Sequence, residues 1–309
     1  MKGKETGWKR HISRIGKHKY IYLILIPGII YLLVFSYIPM YGLTLAVKNY
    51  KPKLGIIGSP YIGLEHFKRL FAETDFRQAF ANTIVISAGR ILFQFPFPVI
   101  LAVLLSELNN GKYKKLIQTI FTFPHFLSWV IVSAIVINTF EYDGVINQII
   151  TIFGGEAKLF LADKNLFRPL LYLTDNWKEA GWSSIIYLSA ISAISPDLYE
   201  AAQIDGANRM QRILHITMPG IKSTVVVMLL LSIGGIMNGG FDQIFNLYNP
   251  AVQAVSDIID TYIYRITFQT GCNFGFSTAV GFFKSVINFG LLVIFDRLAR
   301  NCGENGIMG

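Results

Sequence analysis

The sequence predicts an all-α, polytopic membrane protein, and three observations lead to this prediction. Of the 309 residues, 52% are hydrophobic and only 15% are charged, whereas soluble domains carry about 25% charged residues. The apolar residues gather in long runs, each sufficient for a helix that crosses the hydrocarbon core of a bilayer. The basic residues flank these runs, so we attribute the net charge of +9 to anionic lipid and the positive-inside rule, and not to nucleic acid.

The apolar runs predict six transmembrane helices with both termini in the cytoplasm. Seven basic residues precede the first run, and charges beside the first helix usually dominate orientation. Residues 1–20 predict a basic helix on the cytoplasmic membrane surface, with a disordered basic tail as the alternative. Residues 21–309 are then a single transmembrane domain. The six predicted spans are Tyr20–Ala46, Phe80–Leu105, Leu116–Phe140, Leu170–Ile194, Ile221–Gly239 and Thr278–Phe295.

The loop 195–220 predicts two short helices joined at a glycine. Ser195 is a good N-cap and Pro196 suits the first helical position, where a missing N–H costs nothing. Gly206 permits a bend, and a second helical run from Ala207 to Thr217 is closed by Pro219. An ordinary amphipathic loop is the alternative interpretation of this stretch.

The same loop holds a spaced set of small, acidic and apolar residues: Glu200, Ala201, Ala202, Gly206, Ile213, Ile216 and Pro219. With this spacing it resembles the EAA loop of permease subunits in bacterial type I ABC sugar importers. Ile213 stands where that family usually has Phe, and Met218 where it usually has Leu. The resemblance implies a coupling helix that docks into the ATP-binding subunit. The residues implied in coupling to the ATPase are Glu200, Ala201, Ala202, Asp205, Gly206, Ile213, Ile216 and Pro219.

The resemblance extends along nearly the whole chain. The segments from Trp177 to Trp182 and from Phe241 to Pro250 look like the branch that includes alginate and other complex-oligosaccharide permeases. The family implies a multi-pass protein of the bacterial cell membrane. Its implied partners are a second homologous permease, two ABC ATPase subunits that use ATP and Mg, an extracellular solute-binding protein and an oligosaccharide substrate. This chain itself is expected to bind no cofactor.

The fourth predicted span carries charges, which indicates that one of its ends faces a water-filled cavity or a partner. A mid-span charge costs about 2.5–3.5 kcal/mol on the insertion scale. Lys178 and Glu179 are adjacent in sequence, so we do not expect them to face each other on a helix. Aromatic rings beside polar groups suit a sugar, although an interfacial aromatic belt with a snorkelling lysine is the alternative. The candidate substrate pathway comprises Trp177, Lys178, Glu179, Trp182 and Tyr187.

Other polar residues lie inside the predicted spans. Arg90 and Gln94 share a helix face, as do Lys284 and Asn288, and pairing between helices or subunits is the simplest interpretation of all four.

The sequence contains no constellation that indicates catalysis. It has no nucleophile–base pair, no metal-ligand spacing and no phosphate-binding loop, and its two cysteines predict neither a disulfide nor a metal site. We therefore expect no catalytic residues and no metal, and we expect ATP hydrolysis to reside in partner subunits. An ion-coupled secondary transporter is the alternative function, and a membrane enzyme is a third with no supporting residues.

Overall fold

The computed structural model describes residues 19–108 and 111–301, and this part of the chain is almost wholly helical. Its one β-type contact is an isolated bridge between Lys48 and Tyr61. The predicted all-α class is therefore confirmed. The surface helix predicted for residues 1–20 and the tail from Cys302 lie outside the described residues, except that Lys19 and Tyr20 begin the first helix.

Fourteen helices in this part of the chain are labelled α1 to α14 in chain order. They are α1 (Lys19–Leu32), α2 (Glu65–Ala72), α3 (Thr74–Gln94), α4 (Pro96–Ser106), α5 (Gly111–Thr122), α6 (Trp129–Phe140), α7 (Val145–Ile152), α8 (Lys164–Ser192), α9 (Pro196–Ile204), α10 (Arg209–Arg212), α11 (Lys222–Gly234), α12 (Phe241–Leu247), α13 (Ile259–Tyr264) and α14 (Phe274–Asn301). Short α-helical pieces also occur at Ile38–Met40, Gly55–Gly58, Met218–Gly220 and Gln253–Ser256. Three π-turns lie at Leu33–Tyr37, Ile213–Thr217 and Arg265–Gln269, and 3-10 turns at Tyr41–Val47, Pro52–Leu54, Phe123–Phe126, Ile236–Asn238 and Pro250–Val252.

Two compact units are distinguished, and the first comprises Met1–Phe67 and Asn273–Phe282. Within it, His66 Nε2 lies 3.0 Å from the carbonyl oxygen of Lys48. Phe67 packs edge-on against Phe282, with ring centroids 6.2 Å apart. These contacts hold the segment after α1 against the first turns of α14.

The second unit comprises Lys68–Cys272 and Phe283–Gly309 and is built around α8. One end of α8 contributes Phe167, Leu170 and Leu171 to a buried cluster with side chains of α3, α6 and α12. The other end contributes Tyr187, Leu188 and Ile191 to a second buried cluster with α4. Because α8 takes part in both clusters, it fixes the positions of the helices around it.

Within the described ranges, four helical segments are long and apolar enough to cross a membrane, or five if one bent pair counts as a span. They are Tyr20–Val47, Thr74–Ser106, Trp129–Ile152 and Phe274–Asn301, with Arg209–Gly220 and Lys222–Gly234 as the bent pair. The first, second and last agree with predicted spans. α8 is not among them, although its 29 residues give a length of about 43 Å at 1.5 Å per residue.

The predicted third span was wrong as a continuous helix. The chain breaks at the 3-10 turn Phe123–Phe126, and α6 restarts with Ser128 as its N-cap. Pro124 lacks an N–H and clashes with the preceding turn, so α5 ends before it. Moreover, the connection between the predicted third and fourth spans, which six spans with cytoplasmic termini would place outside, contains a helix, α7, four residues after α6.

Candidate functional site

A polar cavity of about 650 Å³ opens among α3, α8, α11 and α12. Its wall combines apolar side chains with charged and amide groups, as small-molecule sites usually do. The polar side chains of the wall are Ser87, Arg90, Gln94, Asp175, Asn176, Glu179, Ser183, Tyr187, Ser232, Asn238, Asp242, Gln243 and Asp260.

The centre of this wall is an ion pair between α3 and α8. Arg90 Nη1 donates to Asp175 Oδ2 at 3.2 Å, and both side chains are largely shielded from solvent. The guanidinium also donates to Oε1 of Gln243, whose amide in turn donates to the carbonyl of Leu171 at 2.8 Å. The network therefore ties three helices together beside the cavity, and it satisfies a charge that would be costly to leave unpaired.

Gly240 makes room for this guanidinium. Its φ is +84°, and a Cβ atom placed on it would lie 2.2 Å from Nη2 of Arg90. A side chain at this position would thus require both a left-handed backbone and a displaced arginine. The glycine allows the chain between α11 and α12 to pass close to the ion pair.

Contrary to the sequence-based expectation, Lys178 and Glu179 are paired. Lys178 Nζ lies 2.7 Å from Glu179 Oε1, and His125 Nδ1 lies 2.6 Å from Glu179 Oε2. Their side chains are long enough to bend toward each other, although the positions do not face one another on the helix. Lys178 Nζ also donates to the carbonyl of His125 at 2.9 Å and lies 5.5 Å from the centroid of the Trp129 ring.

The five candidate pathway residues do not form one site. Glu179 and Tyr187 line the cavity, with Tyr187 buried. Trp182 instead stacks flat on His125, with ring centroids 4.5 Å apart. Lys178 is buried in the ion cluster, and Trp177 is half-exposed outside the cavity wall.

The loop between α8 and α11 folds as two helices around Gly206, as the sequence predicts. Ser195 Oγ accepts from the N–H of Asp197 at 3.3 Å, and Pro196 is the first residue of α9. Gly206 then has φ +81°. The second helix begins at Arg209, two residues later than predicted, because Asn208 and Gln211 form a reciprocal capping box.

Pro219 does not end this second helix. The N–H of Met218 bonds the carbonyl of Ile213, which makes the π-turn Ile213–Thr217, and helical structure continues to Gly220. Pro219 has no N–H to donate, and the π-turn before it is the kind of irregularity at which helices accommodate a proline by bending.

The coupling residues implied by the sequence differ in exposure. Ile213 packs on the buried cluster of α4 and α8, and Ile216 is half-buried. On the first helix, Glu200 and Ala201 are exposed, whereas Ala202 is half-buried. Asp205, Gly206 and Pro219 are also exposed. Hence the apolar members anchor the loop, and the small and acidic members present a free surface.

Residues 94–302 match the family described as "Binding-protein-dependent transport system inner membrane component". The chain is also 45% identical over 300 residues to the "Polygalacturonan/rhamnogalacturonan transport system permease protein YteP" of Bacillus subtilis, covering 97% of this chain and 93% of that protein. The chain belongs to this family. It is therefore a multi-pass permease subunit of a transport system in the inner membrane.

Other relatives of the permease agree with this assignment. LplB of Bacillus subtilis is 42% identical over 308 residues, covering 99% of this chain and 95% of LplB. A permease chain from a bacterial alginate ABC transporter, solved with an alginate pentasaccharide-bound periplasmic protein, superposes with a TM-score of 0.89 at 38% identity. That superposition covers 98% of this chain and all of the other. The predicted resemblance to ABC permeases is thus confirmed.

Several residues that line the cavity or contact its wall could not be identified as site residues from the sequence. Asp242 and Asp260 line the cavity but lie in a segment that was predicted to be external. His125 lies inside the third span, which was predicted as continuous, and nothing in its neighbourhood indicates a carboxylate partner 54 residues away. Arg90 and Gln94, by contrast, were noted because they share a face, and both line the cavity.

Proposed function

We propose that this permease is one half of the translocation pathway of an ATP-driven, binding-protein-dependent oligosaccharide importer. The observation that carries the proposal is the polar cavity of about 650 Å³ inside a bundle of apolar helices. Relatives named for polygalacturonan, rhamnogalacturonan and alginate make uronate-containing oligosaccharides the first substrates to test.

The chain would cross the membrane six times, with both termini in the cytoplasm. Five crossings are the four apolar segments and α11, the second helix of the bent pair, whose first helix belongs to the loop 195–220. α8 would be the remaining crossing, since it is long enough and the charged residues in its middle, Asp175, Lys178 and Glu179, are paired within the chain. In this arrangement the loop 195–220 faces the cytoplasm, where ATP is available.

The cavity wall suits a polyhydroxylated ligand. Carboxylate and amide groups accept and donate hydrogen bonds to hydroxyls, while Phe95, Trp129 and Phe241 offer apolar surface to the faces of a sugar ring. Glu179 and Tyr187 are the members of the predicted pathway that belong to this wall. We therefore retain these two as substrate-pathway residues and assign Lys178 and Trp182 to the support of that wall.

ATP hydrolysis would occur in two separate ATPase subunits, coupled to the permease through α9 and the helix that follows it. The exposed small residues of α9 leave room for close docking, and Gly206 fixes the angle between the two helices. A second homologous permease would complete the pathway. The continuous exposure of the apolar side chains from Tyr20 to Tyr41 fits contact with lipid or with that subunit.

An ion-coupled secondary transporter is not favoured. Arg90, Lys178 and Lys284 each have a carboxylate partner in the structure, and Lys284 Nζ contacts both oxygens of Asp260 at 2.7 and 2.9 Å. These pairs account for the buried charges without an ion pathway. In addition, a loop that docks to an ATPase would have no function in an ion-coupled transporter.

Uptake by bacteria that lack this chain tests the proposal. We expect them to lose uptake of labelled oligogalacturonate or oligoalginate and to recover it when the gene is restored. Unchanged uptake of both, together with unchanged uptake of neutral oligosaccharides, would contradict carbohydrate import.

A further inference from the structure

The two helices of the loop 195–220 form a cleft of about 300 Å³. Its lining includes coupling residues and also residues to which the coupling role assigns no function. Its floor is made of small residues, Ala202, Gly206 and Ala207, so that it is open to an incoming group. The remaining wall is formed by Asp205, Gln211, Arg212, His215 and Ile216.

Arg212 is the unusual member of this cleft. Its side chain is half-buried, and its Nε is shielded from solvent without a hydrogen-bond partner in the described part of the chain. No carboxylate among the described residues pairs with it, Asp205 included. Arg212 lines the cleft, so an acidic group that enters it would supply the charge partner that this guanidinium lacks among the described residues.

The groups next to Arg212 also have hydrogen-bonding capacity. Gln211 Oε1 accepts from the N–H of Asn208 at 2.7 Å, which fixes the amide in place and leaves its NH₂ group without a described partner. His215 Nδ1 donates to the carbonyl of Gln211 at 2.9 Å, so its ring is also held. The cleft therefore presents a guanidinium beside an amide donor that is held in place.

We propose that this cleft binds a carboxylate side chain of the ATPase, with Arg212 as its counter-ion. This inference rests on the proposed docking role of the loop and adds a second contact to it: the permease helix enters the ATPase, and an acidic side chain of the ATPase enters the permease. A carboxylate is the protein group that a guanidinium fork binds with two parallel hydrogen bonds.

Arg209 provides a matched control. It lies on the same short helix and carries the same charge, but it is exposed and its one described acidic neighbour, Glu107, is 4.0 Å away. Neutralising Arg209 changes the charge of the loop equally without touching the cleft.

The test measures binding of the purified ATPase to the full permease complex in nanodiscs of neutral lipid. We expect Arg212→Gln to weaken binding at least tenfold, which corresponds to about 1.4 kcal/mol, while Arg209→Gln changes it less than threefold. Arg212→Lys should retain part of the affinity because it keeps the charge. Arg212→Glu should lose binding and regain it when one acidic residue on the permease-facing surface of the ATPase is replaced by Lys.

Three results would overturn the carboxylate site. Equal effects of Arg212→Gln and Arg209→Gln would show a general charge effect. An Arg212 effect that appears only in nanodiscs with anionic lipid would assign the cleft to a lipid headgroup. If Arg212→Gln binds the ATPase normally and Gly206→Val does not, the carboxylate site is rejected and the docking role of the loop remains. If both variants bind the ATPase normally, the docking role of the loop is rejected as well.

Discussion

At the scale of single residues, the ion pair of Arg90 and Asp175 makes a prediction that separates stability from transport. Arg90→Met leaves Asp175 buried without a partner and should destabilise the permease by about 3–5 kcal/mol. Arg90→Met combined with Asp175→Leu should restore much of that stability, because buried ion pairs can be replaced by apolar groups. Both variants should lose transport, since the polar cavity wall is changed.

Thermal unfolding in detergent and uptake in cells are the two measurements. A double variant that is less stable than Arg90→Met alone would contradict this prediction. A double variant that transports normally would show that the pair does not contribute to the pathway.

Trp182 makes a second prediction at this scale. It stacks on His125, whose ring in turn contacts Glu179. Trp182→Ala should lower transport with little effect on assembly, because it frees the ring that orients a carboxylate of the cavity wall. Trp182→Phe keeps a stacking ring and should retain most activity. If both variants transport normally while expression of Trp182→Ala falls, Trp182 is a packing residue only.

At the scale of elements, the angle between the two helices of the coupling loop depends on the backbone of Gly206. Its φ of +81° is disfavoured for residues with a side chain, although the space around its Cα is open. Gly206→Val should therefore abolish ATPase co-purification through a backbone strain of about 1–3 kcal/mol. Gly206→Asn should retain co-purification because Asn tolerates this conformation. Equal co-purification of the two variants would contradict this reason.

Glu200 tests the same loop through charge. Glu200 is exposed on α9 and has no described ion-pair partner, so Glu200→Lys should leave the fold intact. If Glu200 lies at the contact with the ATPase, the charge reversal should reduce co-purification and uptake together. Glu141→Lys, at an exposed position outside the loop, serves as the control.

The coupling loop was the element best predicted from the sequence, because its signals are local. Ser195, Pro196 and Gly206 each act within a few residues through capping or backbone conformation, and the structure places all three as expected. The break between α5 and α6 was missed, since an apolar run hid the effect of Pro124. The pairing of His125 with Glu179 could not be read from the sequence, because it depends on how two helices pack.

At the scale of the whole molecule, the structure changes the reason for expecting a second permease. The buried charges of this chain are largely paired within it, so they do not require a partner. The long exposed apolar surface of residues 20–41 remains, and a lipid bilayer could cover it as well as a subunit could. We still predict that the chain alone does not transport, because we propose that it forms only one wall of a pathway. A transport-competent assembly that contains only this permease and ATPases would contradict that prediction.

We infer that ATP, and not an ion gradient, drives oligosaccharide import through this chain. The most direct test is uptake of a labelled uronate oligosaccharide by proteoliposomes that contain the purified transporter and enclose ATP, with the solute-binding protein outside. We predict that uptake requires enclosed ATP, persists when ionophores abolish the proton and sodium gradients, and is lost with Gly206→Val. Uptake that continues without ATP and stops with the ionophores would contradict the claim.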